Sequence, residues 1–178
     1  MRIIAVMTIV LLLSGAAMAQ SPDSPNSLYL ELAGNGIFYS ANYDRLFTES
    51  YGGRVGFGFV TAFGAPLITS FPLMAYRLIG SGNSKLELGL GVCGILQPDD
   101  TSFSTGASDD WFEGNGVLGT MTACYRYQRA EGGIVFRVGV TPFFGKFVHI
   151  TNEGHIDEAK EDVYKFTPFG GISVGYAF

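Results

Sequence analysis

The sequence predicts an all-β fold, an eight-stranded antiparallel transmembrane up-and-down β-barrel. Three observations predict it. The last nine residues alternate strictly, with Gly170, Ile172, Val174, Tyr176 and Phe178 on one side and Gly171, Ser173, Gly175 and Ala177 on the other. A period of two means a strand with two unlike faces, and an apolar face opposed to a small, weakly polar one suits a wall with lipid outside and a tight interior. The composition agrees: 25 Gly, 15 Phe and 9 Tyr in 178 residues, a mean hydropathy of +0.26, and no apolar run of helix-spanning length beyond the N-terminal segment. Turn signals and prolines then divide residues 28–178 into eight short alternating segments.

The N-terminal segment reads as an export signal. Arg2 supplies a short positive region, residues 3–13 an apolar run, and Ala17, Met18 and Ala19 an A-x-A cleavage site before Gln20. This predicts a secretory signal peptide over residues 1–19, cleaved after Ala19, because the apolar core is too short to span a bilayer. The cleavage point carries no cysteine, which disfavours a lipoprotein. Residues 20–27, QSPDSPNS, read as a polar periplasmic lead-in, and residues 28–178 as one domain. The formal net charge of −5 gives no reason to expect nucleic acid as a partner.

The elements follow in order. Residues 28–33 place Leu28, Leu30 and Leu32 opposite Tyr29, Glu31 and Ala33. Gly34, Asn35 and Gly36 signal a tight turn, and residues 37–46 follow, with Ile37, Tyr39, Ala41 and Tyr43 outward. Joining these two segments into one bent strand would leave seven strands, an odd number, so eight is preferred. Residues 54–61 put Val55, Phe57 and Phe59 outward and Arg54, Gly56 and Gly58 inward. The faces of 71–80 do not separate at Met74 and Arg77. Residues 85–96 are the clearest strand, with Leu86, Leu88, Leu90 and Val92 outward and Glu87, Gly89, Gly91 and Cys93 inward. Residues 116–127 place Thr122, Cys124 and Arg126 inward, 134–144 place Arg137 and Gly139 inward, and 166–178 close the barrel.

Connection lengths test this division. Long segments follow the fifth and seventh strands, at 97–115 and 145–165, and short turns follow the second, fourth and sixth. Short periplasmic turns and long external loops are the parity of outer-membrane barrels. Pro72, Pro98, Pro142 and Pro168 fall at the expected external strand ends and Pro66 in an external loop. Aromatics form two girdles: Tyr43, Phe47, Tyr125, Tyr127, Tyr176 and Phe178 at the periplasmic end, and Phe71, Trp111, Phe143, Phe147 and Phe169 at the external end.

The inward face collects Glu31, Arg54, Glu87, Arg126 and Arg137. An eight-stranded barrel is just wide enough for side chains to fill it, so these charges are desolvated and must be paired. They predict an internal salt-bridge plug; a selectivity ring of a narrow pore is the functional alternative. Cys93 and Cys124 both face inward on neighbouring strands, expected within a residue or two of register. They leave open both a disulfide and two free thiols packed as small apolar groups. No C-x-x-C motif is present. The acidic segments around Asp99, Asp109 and Glu113 and around Glu153 and Asp157 lack calcium-loop spacing, so no metal and no cofactor is expected.

Three resemblances add to this. Phe178, with Ile172, Val174 and Tyr176 at alternate positions before it, resembles the C-terminal recognition strand of bacterial outer-membrane barrels. That implies an insertion signal at these four residues and the barrel-assembly machinery as a transient partner. The stretches LYLELAGNGIFYSANYDRLF, KLELGLGVCG, CYRYQRAEGGIVFRVGVTPFFG and GGISVGYAF resemble small outer-membrane β-barrel proteins of Bacteroidetes-type bacteria. The resemblance implies a bacterial outer-membrane location among lipid and lipopolysaccharide, and no activity. Finally, HITN at 149–152 is similar to the His-x-Ser-Asn element of outer-membrane lipid A deacylases. It implies His149 as base, Thr151 in place of the serine nucleophile and Glu161 as orienter. The expected function is therefore non-enzymatic: a structural or surface-interaction protein acting through loops 97–115 and 145–165. A lipid A deacylase-like hydrolase and a narrow pore are the alternatives. A soluble lipocalin-type barrel is disfavoured by the apolar outward faces.

Overall fold

A computed structural model of the chain describes residues 23–60, 68–96, 102–104, 110–113, 115–151 and 159–178, with backbone alone at 60, 102–104, 110–113, 146–151 and 159–165. The expected signal peptide over 1–19, its cleavage after Ala19 and the first part of the lead-in lie outside the described residues, as do Pro66 and Pro98. The elements are β1 Asn26–Ala33, a 3-10 turn Gly34–Gly36, β2 Tyr39–Leu46, β3 Tyr51–Val60, β4 Ile68–Ile79, β5 Ser84–Leu96, β6 Ser102–Ser104, β7 Asp110–Glu113, β8 Gly116–Gln128, β9 Gly133–Val140, β10 Phe143–Thr151, β11 Ala159–Thr167 and β12 Gly170–Ala177.

The wall is closed. Neighbours run β1, β2, β3, β4, β5, β8, β9, β12, and β12 returns to β1 with Ala177 opposite Ser27 and Gly171 opposite Ala33. All pairings are antiparallel, and closure leaves the wall without free edges. The backbone N–H and C=O of Phe178 both bond Asn26, so the two chain ends of the barrel are stitched together.

Alternation sorts the residues as the pleat requires. On β1, Leu30 is 68% exposed on the outer surface and Tyr29 only 4% exposed inside. On β4, Phe71, Leu73, Ala75, Arg77 and Ile79 point out while Met74, Tyr76 and Leu78 point in, so Met74 and Arg77 do separate cleanly. Pro72 lies within β4, inward, rather than at a strand end. The interior is narrow enough that backbone replaces side chains at some positions. A Cβ on Gly175 would overlap the Leu28 carbonyl and Tyr29, and one on Gly139 would overlap the Ala123 carbonyl and Cys124.

Residues 34–38 depart from the expected tight hairpin turn. The chain folds back into the barrel mouth, with Asn35 0% and Ile37 2% exposed. Ile37, expected outward, therefore points into the interior. The fold-back requires two unfavourable backbone conformations, Ala33 at φ 58, ψ −147 and Ile37 at φ 75, ψ −74. The latter is a γ-turn, closed by the Phe38 N–H bonding the Gly36 carbonyl, of the kind that is rare and strained.

The expected loop 145–165 is largely a β-ribbon. β10 continues β9 and β11 leads into β12 without a register change: Val140 faces Gly170 and Phe143 faces Thr167. Pro142 and Pro168 therefore sit opposite each other, and the ladder breaks there because neither has an N–H to give. The 97–115 segment contributes β6 and β7. β7 pairs with β10 through Val148 opposite Trp111 and His149 opposite Asp110. A small sheet of β6, β7, β10 and β11 thus stands on the end of the barrel opposite the short turns. Phe143, expected in the outer aromatic girdle, is fully buried inside, 5.7 Å centroid to centroid from Phe169.

Candidate functional site

The inward residues of the eight strands converge on a buried polar cluster. Three arginines, Arg54, Arg126 and Arg137, meet three carboxylates, Glu31, Asp44 and Glu87, all of them at most 3% exposed. Formal charge balances within the cluster, as burial demands. Each charged group sits on a different strand, so the network can form only when the wall closes.

Glu87 on β5 is the hub. Arg137 grips it with two nitrogens, Nη2 to Oε1 at 2.6 Å and Nε to Oε2 at 3.1 Å. Arg126 donates to Oε2 at 3.0 Å, and Arg54 lies 3.6 Å from Oε1. Such forked, charge-assisted contacts are stronger and more directional than neutral hydrogen bonds. Arg126 also forks onto Asp44 at 3.0 and 3.2 Å, and Asp44 accepts the Tyr76 hydroxyl. Arg137 reaches Glu31 at 3.5 Å. Two tyrosines line the cluster: Arg54 and Arg137 both donate to the Tyr29 hydroxyl, at 2.8 and 3.2 Å, and Arg126 packs 5.2 Å from the Tyr76 ring centroid.

The folded-back turn is tied into this cluster. Asn35 accepts from Arg54 at 2.7 Å and donates to the Thr120 hydroxyl at 2.7 Å and to the Met121 carbonyl at 3.1 Å. Glu31 accepts from the Gly36 N–H at 3.3 Å and from Ser40 at 3.2 Å. Above the charges, Ile37 packs with Ile68, Cys93, Ile95, Leu118 and Phe143 in an apolar cluster that covers the side away from the short turns. On the opposite side, at the short-turn end, a cavity of about 370 Å³ opens against Arg126, Lys85, Gln128, Glu49 and Asp23. The described interior is thus an apolar seal over a neutral ionic layer over a shallow polar mouth.

All five charges expected to point inward are in this cluster. Sequence reasoning missed Asp44, Asn35, Tyr29 and Tyr76. Asp44 had the signal, since it alternates with Ser40 and Asn42 on the inward face of β2. Asn35 had none, because a Gly-Asn-Gly stretch reads as an exposed turn.

The expected proximity of Cys93 and Cys124 is corrected. β5 and β8 pair so that Cys93 faces Leu118 and Cys124 faces Glu87. Six positions along the strand separate the two cysteines, roughly 20 Å, whereas a disulfide needs Cα atoms within about 7 Å. Both are free thiols, buried at 0% and 3% exposure. Cys93 belongs to the apolar seal, and Cys124 contacts the Thr122 hydroxyl at 2.9 Å.

The residues carried over from the deacylase resemblance lie on the ribbon of β10 and β11, beyond the barrel wall. Backbone register sets His149 opposite Glu161, with Thr151 two positions further on opposite Ala159. Ile172, Val174, Tyr176 and Phe178 are all outward on the closing strand. Among the described residues no cluster of metal-ligating side chains occurs.

No family model matches the chain, and no curated protein matches it. One solved structure does. The chain is similar to the N-terminal β-barrel domain of Pseudomonas aeruginosa OprF, with a TM-score of 0.53 and 12% identity, over 89% of this chain and 100% of that one. The shared feature is the fold, a closed eight-stranded antiparallel barrel of outer-membrane type.

Proposed function

We propose that the chain is a non-enzymatic integral outer-membrane protein whose barrel is a closed pedestal. Its external sheet of β6, β7, β10 and β11 would be the surface-interaction element. The observation that carries this reading is the three-layer interior. An outward apolar wall needs lipid, while a neutral ionic layer beneath an apolar seal leaves no continuous path for ions. Insertion would use the barrel-assembly machinery and the closing strand ending at Phe178, with lipid and lipopolysaccharide as the surrounding partners.

Single-channel recording on planar bilayers tests the closed pedestal. The reconstituted protein should give no unitary conductance steps, and Asn35→Ala, which unties the folded-back turn, should introduce brief openings. Regular steps from the unaltered protein would establish the narrow-pore alternative instead.

A second reading, a lipid A deacylase-like hydrolase, is favoured by one observation: register brings His149 and Glu161 face to face with Thr151 close by. Incubating the reconstituted protein with lipid A and weighing the products decides it. Unchanged lipid removes the enzyme reading. Loss of an acyl chain that Thr151→Ala abolishes would establish it.

A further inference from the structure

The interior arginines are matched one to one by carboxylates, whereas two arginines on the outside are not. Arg45 on β2 and Arg77 on β4 both point outward and are exposed. They lie one and two residues before the ends of their strands, at the short-turn end of the barrel. Among the described residues neither has a carboxylate within 4 Å: the ion pairs there are those of the lumen and Arg129 with Glu131. Arg77 instead lies over the Tyr51 ring, 5.5 Å from its centroid. A cation on an apolar wall costs free energy unless an anion or water meets it.

Between the two arginines the wall itself is built of small residues. Gly53 faces Arg45 on one side and Ala75 on the other, so two small residues sit side by side where the next row carries Val55, Leu73 and Val92. The Phe47 ring lies over Gly53, within 3.2 Å of where a Cβ would be. A groove of about 1660 Å³ runs from Arg45, Tyr51 and Arg77 up the outer wall past Leu73, Leu90 and Val92. By strand spacing the Cα atoms of the two arginines are about 12 Å apart, a distance two arginine side chains can close on one phosphate. The groove is therefore cationic and aromatic at one end and apolar along its length.

We propose that this groove binds an anionic phospholipid of the periplasmic leaflet, with the headgroup phosphate between Arg45 and Arg77 and an acyl chain along Leu73, Leu90 and Val92. Charge complementarity selects the occupant. Guanidinium groups recognise phosphate oxygens by paired hydrogen bonds, Tyr51 holds Arg77 in place by stacking, and the adjacent wall offers only apolar surface. A zwitterionic lipid would meet the same wall with a headgroup of no net charge. The proposal rests on the membrane-barrel reading above.

The test is native mass spectrometry of the full chain, extracted in detergent from the membranes of a bacterial host, stripped of lipid and titrated with phosphatidylglycerol or phosphatidylcholine of identical acyl chains. With each surface cation contributing roughly a fivefold effect, the unaltered protein should retain phosphatidylglycerol at least tenfold better. Arg45→Gln with Arg77→Gln should abolish that preference while leaving the compact gel migration of the unheated protein intact. Equal retention of the two lipids, or a preference that survives the double substitution, overturns the site. Protein recovered in the soluble fraction without detergent would overturn the membrane reading and the site with it, an outcome distinct from a membrane barrel without lipid preference.

Discussion

Replacing Glu87 by glutamine keeps the side chain's shape and removes its charge from the centre of the interior. The consequences can be followed partner by partner. Arg126 keeps its fork onto Asp44. Arg137 loses its closest carboxylate and keeps only Glu31 at 3.5 Å. Arg54 loses the one carboxylate within 4 Å among the described residues and is left with Tyr29 and Asn35, both neutral. The new amide also turns a donor toward guanidinium donors. One net positive charge is left buried, and breaking a buried pair from one side costs about 3–5 kcal/mol. With urea slopes of roughly 1–3 kcal/mol per molar, the unfolding midpoint should fall by about 1 M at the least and up to about 5 M. The assay is urea unfolding in lipid vesicles, followed by loss of the compact gel form. Adding Arg54→Gln restores neutrality, so the double variant should recover part of the loss rather than add to it. A midpoint for Glu87→Gln within about 0.3 M of the unaltered protein would refute the ionic layer as a stabilising element.

Three further outcomes follow from particular residues. Ala33→Gly removes a Cβ from a backbone conformation that costs on the order of 1–3 kcal/mol, so it should stabilise the barrel by about 1 kcal/mol once the extra entropy glycine gives the unfolded chain is subtracted; the same urea assay reads it. Gly175→Ala forces a Cβ into the Leu28 carbonyl at the closing seam and should destabilise by about 3 kcal/mol, the upper range for overpacking, because backbone rather than a flexible side chain stands in the way. Cys93 and Cys124 should resist a maleimide reagent in the folded barrel and both react after denaturation, with gel migration the same with and without reductant.

Sequence and structure agree where a single face decides the matter. Leu28, Leu30 and Leu32 against Tyr29 and Glu31, or Leu86 to Val92 against Glu87 to Cys93, can be sorted by alternation alone, and that sorting placed five of the six lumen charges. The failures have different physical origins. Ile37 is apolar and in phase with Tyr39, yet the chain reverses into the barrel before β2 begins, and positive-φ isoleucine is not something a pattern announces. Residues 145–165 carry too many charges to read as strand, but β10 and β11 pair through their backbones, which needs no apolar alternation. The cysteines were misjudged on register: inward parity puts both in the lumen, and only the count along β5 and β8 shows that they sit at different heights.

The proposed outer-membrane role requires that the outward face meet lipid while the inward face meets the ionic layer. Tryptophan placed at Leu30, Leu90 and Val174, in a chain whose single native tryptophan is changed by Trp111→Phe, tests it directly in vesicles of lipids brominated at known depths. Blue-shifted emission is expected at all three positions, quenched by bromines in the acyl chains and unaffected by iodide in the water. Red-shifted emission quenched by iodide and untouched by the brominated lipids would contradict it.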